Sequence, residues 1–74
     1  MYYINIDRTK GANMKEFRIK CGYSQKQLAD KLFLSQRAIS AYEKGDREPN
    51  CATIIKLAKI LNCSVEDIVR CFAN

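Results

Sequence analysis

The sequence predicts an all-α fold of five short helices, on three observations. Apolar residues recur at intervals of three and four over most of the chain after residue 13, as on one face of a helix. Serine or asparagine stands where each helix would begin, and these residues cap helix N-termini. Glycine or asparagine stands where most of the helices would end. The 74 residues allow one domain at most.

The first helix is predicted to begin at Asn13, which would cap it with Glu16 as its capping-box partner. Gly22 is predicted to end this helix. The predicted apolar side contains Met14, Phe17 and Ile19, with the membership of Cys21 left open, and the predicted basic side contains Lys15, Arg18 and Lys20.

The second and third helices are predicted to be separated by only residues 33–34. Ser24 would cap the second helix, and Ser35 would cap a third helix over about residues 35–44 that ends at Gly45. So short a connection holds two helices at a fixed steep angle, which is the geometry of a helix-turn-helix.

The last two helices follow a polar loop that contains Pro49, which prevents a helix from running through the preceding residue. Asn50 is predicted to cap the fourth helix and Asn62 to close it, and Ser64 with Asp67 would form the capping box of the fifth. The core is predicted to centre on a wide apolar stripe of the fourth helix, formed by Ile54, Ile55, Leu57, Ala58 and Leu61.

The third helix carries small and polar residues on the side away from its predicted packing face. In a major groove, Gln36 could pair with adenine, Arg37 with guanine O6 and N7, and Ala41 could touch a thymine methyl. Ser35 and Ser40 could serve as donors or acceptors. The same residues also suit a generic helical hairpin with a solvated polar face, so this pattern alone leaves DNA binding and the hairpin about equally supported.

Composition narrows the classes of function. The net charge of +5 favours a polyanionic partner, either nucleic acid or an acidic membrane surface. The chain has no histidine, and its four cysteines form no C-x-x-C pair, so no metal site, cofactor site or catalytic constellation is predicted. Neither a secretory signal nor an apolar run of about 20 residues occurs, and we expect a cytoplasmic protein with reduced thiols.

Motifs with a consistent spacing extend from residue 15 to residue 68. They are K-E-F-R at 15–18, G-Y-S-Q-K-Q-L-A at 22–29, S-Q-R-A-I-S-A-Y-E-K-G at 35–45, Pro49, I-I-K-L-A at 54–58 and L-N-C-S-V-E-D-I at 61–68. With these motifs, the stretch from Met14 to Val69 resembles the phage-repressor (Cro/cI-like, Xre) helix-turn-helix family. The resemblance implies a compact five-helix, lambda-repressor-like DNA-binding domain that binds a pseudo-palindromic operator in double-stranded DNA as a homodimer.

The resemblance also implies roles for individual residues. Five lie where family members present side chains to bases: Ser35, Gln36, Arg37, Ser40 and Ala41. Gln25 matches a position that touches phosphate through its amide and the helix N-terminus. Lys44 and the segment from Gly45 to Arg47 match the backbone-contacting loop. Tyr42 is expected to pack in the core, and Glu43 to orient neighbouring groups.

Two departures from the family pattern stand out. Phe33 occupies a turn position where many members have glycine, and a bulky residue with positive φ is strained. We therefore expect the second helix to run on by a residue, which leaves the angle of the third helix open. The second departure is the extension 1–13, ahead of the domain 14–74. We favour a strand in residues 2–6 that pairs across a dimer over an arm that uses Arg8 and Lys10, a disordered tail, or a true start at Met14.

The cysteines are assigned by the same resemblance. Cys51 and Cys63 fall at positions that aliphatic residues usually fill, and we expect them in the core. Cys21 and Cys71 are expected at the surface.

The leading function is a sequence-specific transcriptional regulator, and more specifically a repressor. One alternative is the antitoxin of a toxin–antitoxin pair, which would have a toxin partner besides DNA. The other is a protein-interaction module of the same fold that has lost DNA binding. An enzyme is not expected.

Overall fold

A computed structural model describes residues 12–72 and confirms the predicted all-α architecture. The five helices are α1 (Ala12–Lys20), α2 (Gln25–Leu32), α3 (Gln36–Lys44), α4 (Cys51–Ile60) and α5 (Val65–Phe72). No strand occurs between residues 12 and 72, and the strand predicted for residues 2–6 lies outside the described residues. No helix in the described part of the chain is long and apolar enough to span a membrane.

Local capping accounts for most helix boundaries. The side chains of four predicted caps accept hydrogen bonds from backbone N–H groups three residues later: Ser24, Ser35, Asn50 and Ser64. At α5 the N–H of Ser64 donates back to Asp67 at 3.1 Å and, together with the Ser64 hydroxyl, lowers the pKa of that carboxyl. The Asn13 cap was predicted wrongly, because α1 begins at Ala12 and Asn13 lies inside the helix.

The core draws one fully buried side chain from each helix: Met14, Leu28, Ile39, Leu57 and Ile68. The ring of Tyr42 from α3 meets that of Phe72 from α5 edge-on, with centroids 6.3 Å apart, so Tyr42 packs as predicted. The predicted α4 stripe is wider than the observed one. Leu57 and Ala58 are buried, whereas Ile55 is 47% exposed.

An ion pair between α1 and α3 is buried beside this core. Arg18 Nε donates to Glu43 Oε2 at 2.6 Å and Arg18 Nη2 to Glu43 Oε1 at 3.2 Å, while Nη1 donates to the carbonyl of Tyr23 at 2.8 Å. The prediction that Arg18 lies on a basic outer face is therefore wrong. Arg18 is one turn from buried Met14 and shares its face, whereas Ile19 is 56% exposed.

Two cysteines were assigned to the wrong environment. Cys71 is buried, because it shares with Ile68 and Phe72 the face of α5 that packs on the core. Cys51 is exposed, because it is the first residue of α4 and lies outside the packed face of that helix. Cys63 is half-buried against the core, and Cys21 is exposed, as predicted.

The Arg18→Met substitution is expected to lower the free energy of unfolding by about 3–5 kcal/mol, because the Glu43 carboxylate would remain buried without its cation. The double variant Arg18→Met/Glu43→Leu should regain most of this loss, since it leaves no uncompensated buried charge. Urea unfolding monitored by circular dichroism measures both values.

The exposed pair between Arg70 and Glu66, at 3.0 Å, provides the control. Arg70→Met should change the unfolding free energy by less than about 0.5 kcal/mol, because water already solvates both charges. If Arg18→Met were as mild as Arg70→Met, the buried pair would not stabilise the fold as described.

Alkylation should distinguish the cysteines. Cys51 is exposed and should react with iodoacetamide in the native state, whereas buried Cys71 should react only as the chain unfolds. Burial raises the pKa of Cys71 from 9.0 to about 11, so the folded chain holds this proton more tightly than the unfolded chain. Its contribution to stability is therefore complete below about pH 9 and is lost as the pH rises toward 11. In the alkylation experiment, mass spectrometry of timed samples measures the order in which Cys51 and Cys71 are labelled. Labelling of Cys71 before Cys51 in the native state would contradict the assignment.

Candidate nucleic-acid interface

The turn between α2 and α3 is built on a left-handed Phe33. Phe33 has φ 58° and ψ 40°, and its N–H donates to the carbonyls of Ala29 and Asp30. The N–H of Leu34 also donates to Ala29, at 2.9 Å. The prediction that α2 runs on by a residue is therefore wrong, because Phe33 closes the helix as a left-handed cap. This conformation costs an L-residue roughly 1–2 kcal/mol.

The turn is stabilised by the packing of its residue Leu34 against the core. Leu34, the residue after Phe33, packs against the buried cluster. Ser35 then caps α3, with its hydroxyl oxygen accepting from the N–H of Ala38 at 3.1 Å. Three residues thus separate the last residue of α2 from the first residue of α3. Their backbone geometry fixes the direction of α3 relative to α2.

The two sides of α3 have different burial. Ala38, Ile39, Tyr42 and Glu43 form the buried side. We call the opposite side the outer face of α3, and it consists of Gln36, Arg37, Ser40 and Ala41. Both sets follow the spacing i, i+1, i+4 and i+5, which keeps each on one side of a helix. Gln36 and Arg37 are exposed, and Ser40 and Ala41 are half-buried.

The outer face of α3 is compatible with a polyanion. The only carboxylate in α3 is that of Glu43, which is buried on the opposite side and paired with Arg18. Arg37 supplies a positive charge on the outer face, and Lys44 supplies another at the exposed end of the helix. The amide of Gln36 and the hydroxyl of Ser40 add donors and acceptors that could meet base edges.

Gln25 connects the buried ion pair to the outer face of α3. Its Nε2 donates to Glu43 Oε1 at 3.0 Å, and its Oε1 accepts from Gln36 Nε2 at a longer 3.4 Å. A continuous chain of contacts therefore runs from Arg18 through Glu43 and Gln25 to Gln36. The role predicted for Glu43, which is to orient its neighbours, matches these contacts.

The first turn of α2 also bears on the phosphate contact predicted for Gln25. As the first residue of the helix, Gln25 has a backbone N–H that cannot be satisfied within α2. One proton of Gln25 Nε2 is used on Glu43, so the backbone N–H and the second proton of Nε2 are the donors of Gln25 that could meet an anion.

Arg47 joins Lys44 at the C-terminal end of α3. Lys44 is its last residue, and Gly45, with φ 81°, ends the helix in the left-handed conformation. The guanidinium of Arg47 lies 5.7 Å from the centroid of the Tyr42 ring. This stacking on a buried ring restrains a long side chain that is otherwise exposed.

The sequence prediction missed the Arg18–Glu43 pair, but the sequence contains a signal for it. Arg18 falls one turn after Met14, and Glu43 falls one turn after Ile39. Each charged residue therefore lies on the same face of its helix as an apolar residue. Two opposite charges on two core-facing stripes indicate a buried pair.

Among residues 12–72, no group of three or more histidine, cysteine or carboxylate side chains could hold a metal ion.

Comparisons with known proteins agree with this geometry. A helix-turn-helix family model matches residues 14–68. ImmR of Bacillus subtilis, an HTH-type transcriptional regulator, is 39% identical over 56 residues, which cover 76% of this chain and 44% of ImmR. The chain spans about half the length of ImmR and of two other Bacillus subtilis relatives.

Solved structures support the same assignment. The solution structure of the DNA-binding domain of the P22 c2 repressor superposes with a TM-score of 0.76 at 29% identity, covering 84% of this chain and 82% of that domain. The crystal structure of the P22 c2 repressor with synthetic operator 9T also gives 0.76 at 29% identity, covering 84% and 94%. These matches confirm the predicted repressor-like fold. Because the family model matches well over half of its residues, this chain belongs to the helix-turn-helix family.

Proposed function

We propose that this chain is a sequence-specific DNA-binding transcriptional regulator that inserts α3 into the major groove. The observation that carries the proposal is the division of α3 into a buried side and an outer face without carboxylates, held by the contacts of Gln25 and Glu43. A recognition helix needs this arrangement, because it must pack on one side and approach an anionic duplex on the other. The structural similarity to an operator-bound repressor supports the proposal.

Base recognition is assigned to the outer face of α3 and to its Ser35 cap. Arg37 would donate two hydrogen bonds to guanine O6 and N7, and Gln36 would pair with adenine. Ser40 would donate or accept one turn further along, and small Ala41 would allow close approach or contact a thymine methyl. The Ser35 oxygen caps the helix, so its contact with a base or phosphate would use the hydroxyl proton.

Phosphate contacts are assigned to the two flanks. The N–H of Gln25 would meet one phosphate with the help of the positive end of the α2 dipole. Lys44 and Arg47 would bind the backbone beyond the other end of α3. These contacts would supply much of the affinity and would be sensitive to salt, because each neutralised phosphate releases counterions.

We further propose a homodimer on a pseudo-palindromic operator, acting as a repressor in the cytoplasm, where its DNA target would lie. Two-fold proteins of this kind bind two half-sites that mirror their own symmetry. The names of the relatives favour a regulator over an antitoxin with a toxin partner, and they favour a binding function over a catalytic one.

Titration of random duplex DNA at two salt concentrations tests DNA binding. We expect binding that weakens as salt rises, and the absence of any salt-sensitive binding would reject the proposal. Selection from a random duplex pool would then give the half-site, and the spacing of two half-sites would report the geometry of the dimer.

Substitutions should separate base contacts from phosphate contacts. Gln36→Ala and Arg37→Ala should each cost about 1–3 kcal/mol on the selected duplex and relax preference at one or two base pairs. Lys44→Ala and Arg47→Ala should weaken binding to all duplexes alike and reduce the salt slope by about 1 each. Fluorescence anisotropy on matched and mismatched duplexes measures both.

The exposed Lys56 of α4 offers a control of the same charge. Lys56→Ala should leave both base preference and salt slope unchanged, because α4 is not assigned to the interface. If Arg37→Ala and Lys44→Ala changed base preference to the same extent, the assignment of roles would be wrong.

A further inference from the structure

Phe33 combines two features that disfavour it at its position. Its backbone is left-handed, with φ 58°, and its side chain is 91% exposed. Glycine or asparagine adopts this backbone more readily, and a polar side chain would be better solvated. Residues held in such sparsely populated backbone conformations cluster at functional sites, where the surrounding structure keeps them in place.

The position of Phe33 relates it to α3. Phe33 precedes the Ser35 cap by two residues, so the two Cα atoms lie at most about 7 Å apart. The N-terminal end of a recognition helix is the end that contacts base edges. The N–H of Phe33 donates to the carbonyls of Ala29 and Asp30, which fixes its backbone. The exposed ring therefore extends from a backbone position that is held in place.

We propose that Phe33 is a further specificity-determining residue, whose ring contacts the C5-methyl group of a thymine at the edge of the groove that α3 enters. This inference rests on the proposed function. Within the major groove the thymine methyl is the apolar group that an aromatic ring can cover, and phenylalanine offers no hydrogen bond to the other base edges.

A thymine fits the surroundings of Phe33 better than a protein partner does. The other large apolar side chains that are exposed within residues 12–72 lie on α1, α4 and α5: Ile19, Ile55, Val65 and Val69. Phe33 is therefore the single exposed large apolar residue of the α2–α3 unit in the described part of the chain. The centre of a protein interface is a broad apolar area, whereas a single aromatic ring is enough to cover one methyl group.

The test uses Phe33→Asn, which removes the ring but suits a left-handed backbone. We expect an unchanged or higher thermal midpoint and, on the selected duplex, about fivefold to tenfold weaker binding. Each thymine of the half-site is then replaced by deoxyuridine, which lacks only the methyl group. At one position the replacement should weaken binding of the wild-type chain several-fold and leave binding of Phe33→Asn unchanged.

Ile19→Gln is the matched control, because Ile19 is an exposed apolar residue on α1 and should not affect DNA affinity. Equal affinity of Phe33→Asn and the wild-type chain would overturn the proposal. So would a loss of affinity that does not depend on any thymine methyl, or a lower thermal midpoint, which would mean that the ring stabilises the domain itself. A wild-type chain that binds no duplex would reject the proposed function as well.

Discussion

Arg18 and Glu43 each place a charge in the interior, and neither charge can remain there without the other, because a lone buried ion has lost its hydration. Arg18 belongs to α1 and Glu43 to α3, so the pair fixes the position of the third helix against the first. Arg18 also holds the carbonyl of Tyr23, just before α2. One guanidinium group therefore joins α1, α3 and the segment that leads into α2.

The same pair extends toward the surface through two amides. Glu43 accepts from Gln25, and Gln25 accepts from Gln36 on the outer face of α3. Side chains held by such contacts lose less conformational freedom when a ligand binds than free side chains do. Under the proposed function, Gln36 would be preorganised for a base while the N–H of Gln25 stays available for a phosphate. The contacts of Gln25 with Glu43 and Gln36 would then support both affinity and specificity.

Most of the fold could be predicted from local sequence, and the exceptions have physical reasons. Four N-caps were predicted because a cap depends on residues within one turn. The outer face of α3 could be predicted because its helical spacing is strict. Arg18 was misplaced because a charge indicates the surface until its partner on another helix is known. Phe33 was misjudged because local sterics oppose its conformation, whereas the packing of Leu34 in the core supports it. The contacts assigned to individual bases remain predictions, because they depend on a duplex.

Under the proposed function, the outer face of α3 and the first turn of α2 form the DNA-binding surface. Backbone amide chemical shifts of the ¹⁵N-labelled chain, recorded during titration with a duplex selected from a random pool, test it most directly. We expect the largest changes at Gln36, Arg37, Ser40 and Ala41, together with the N–H of Gln25. Changes confined to α4 and α5, with α3 unaffected at saturation, would contradict it.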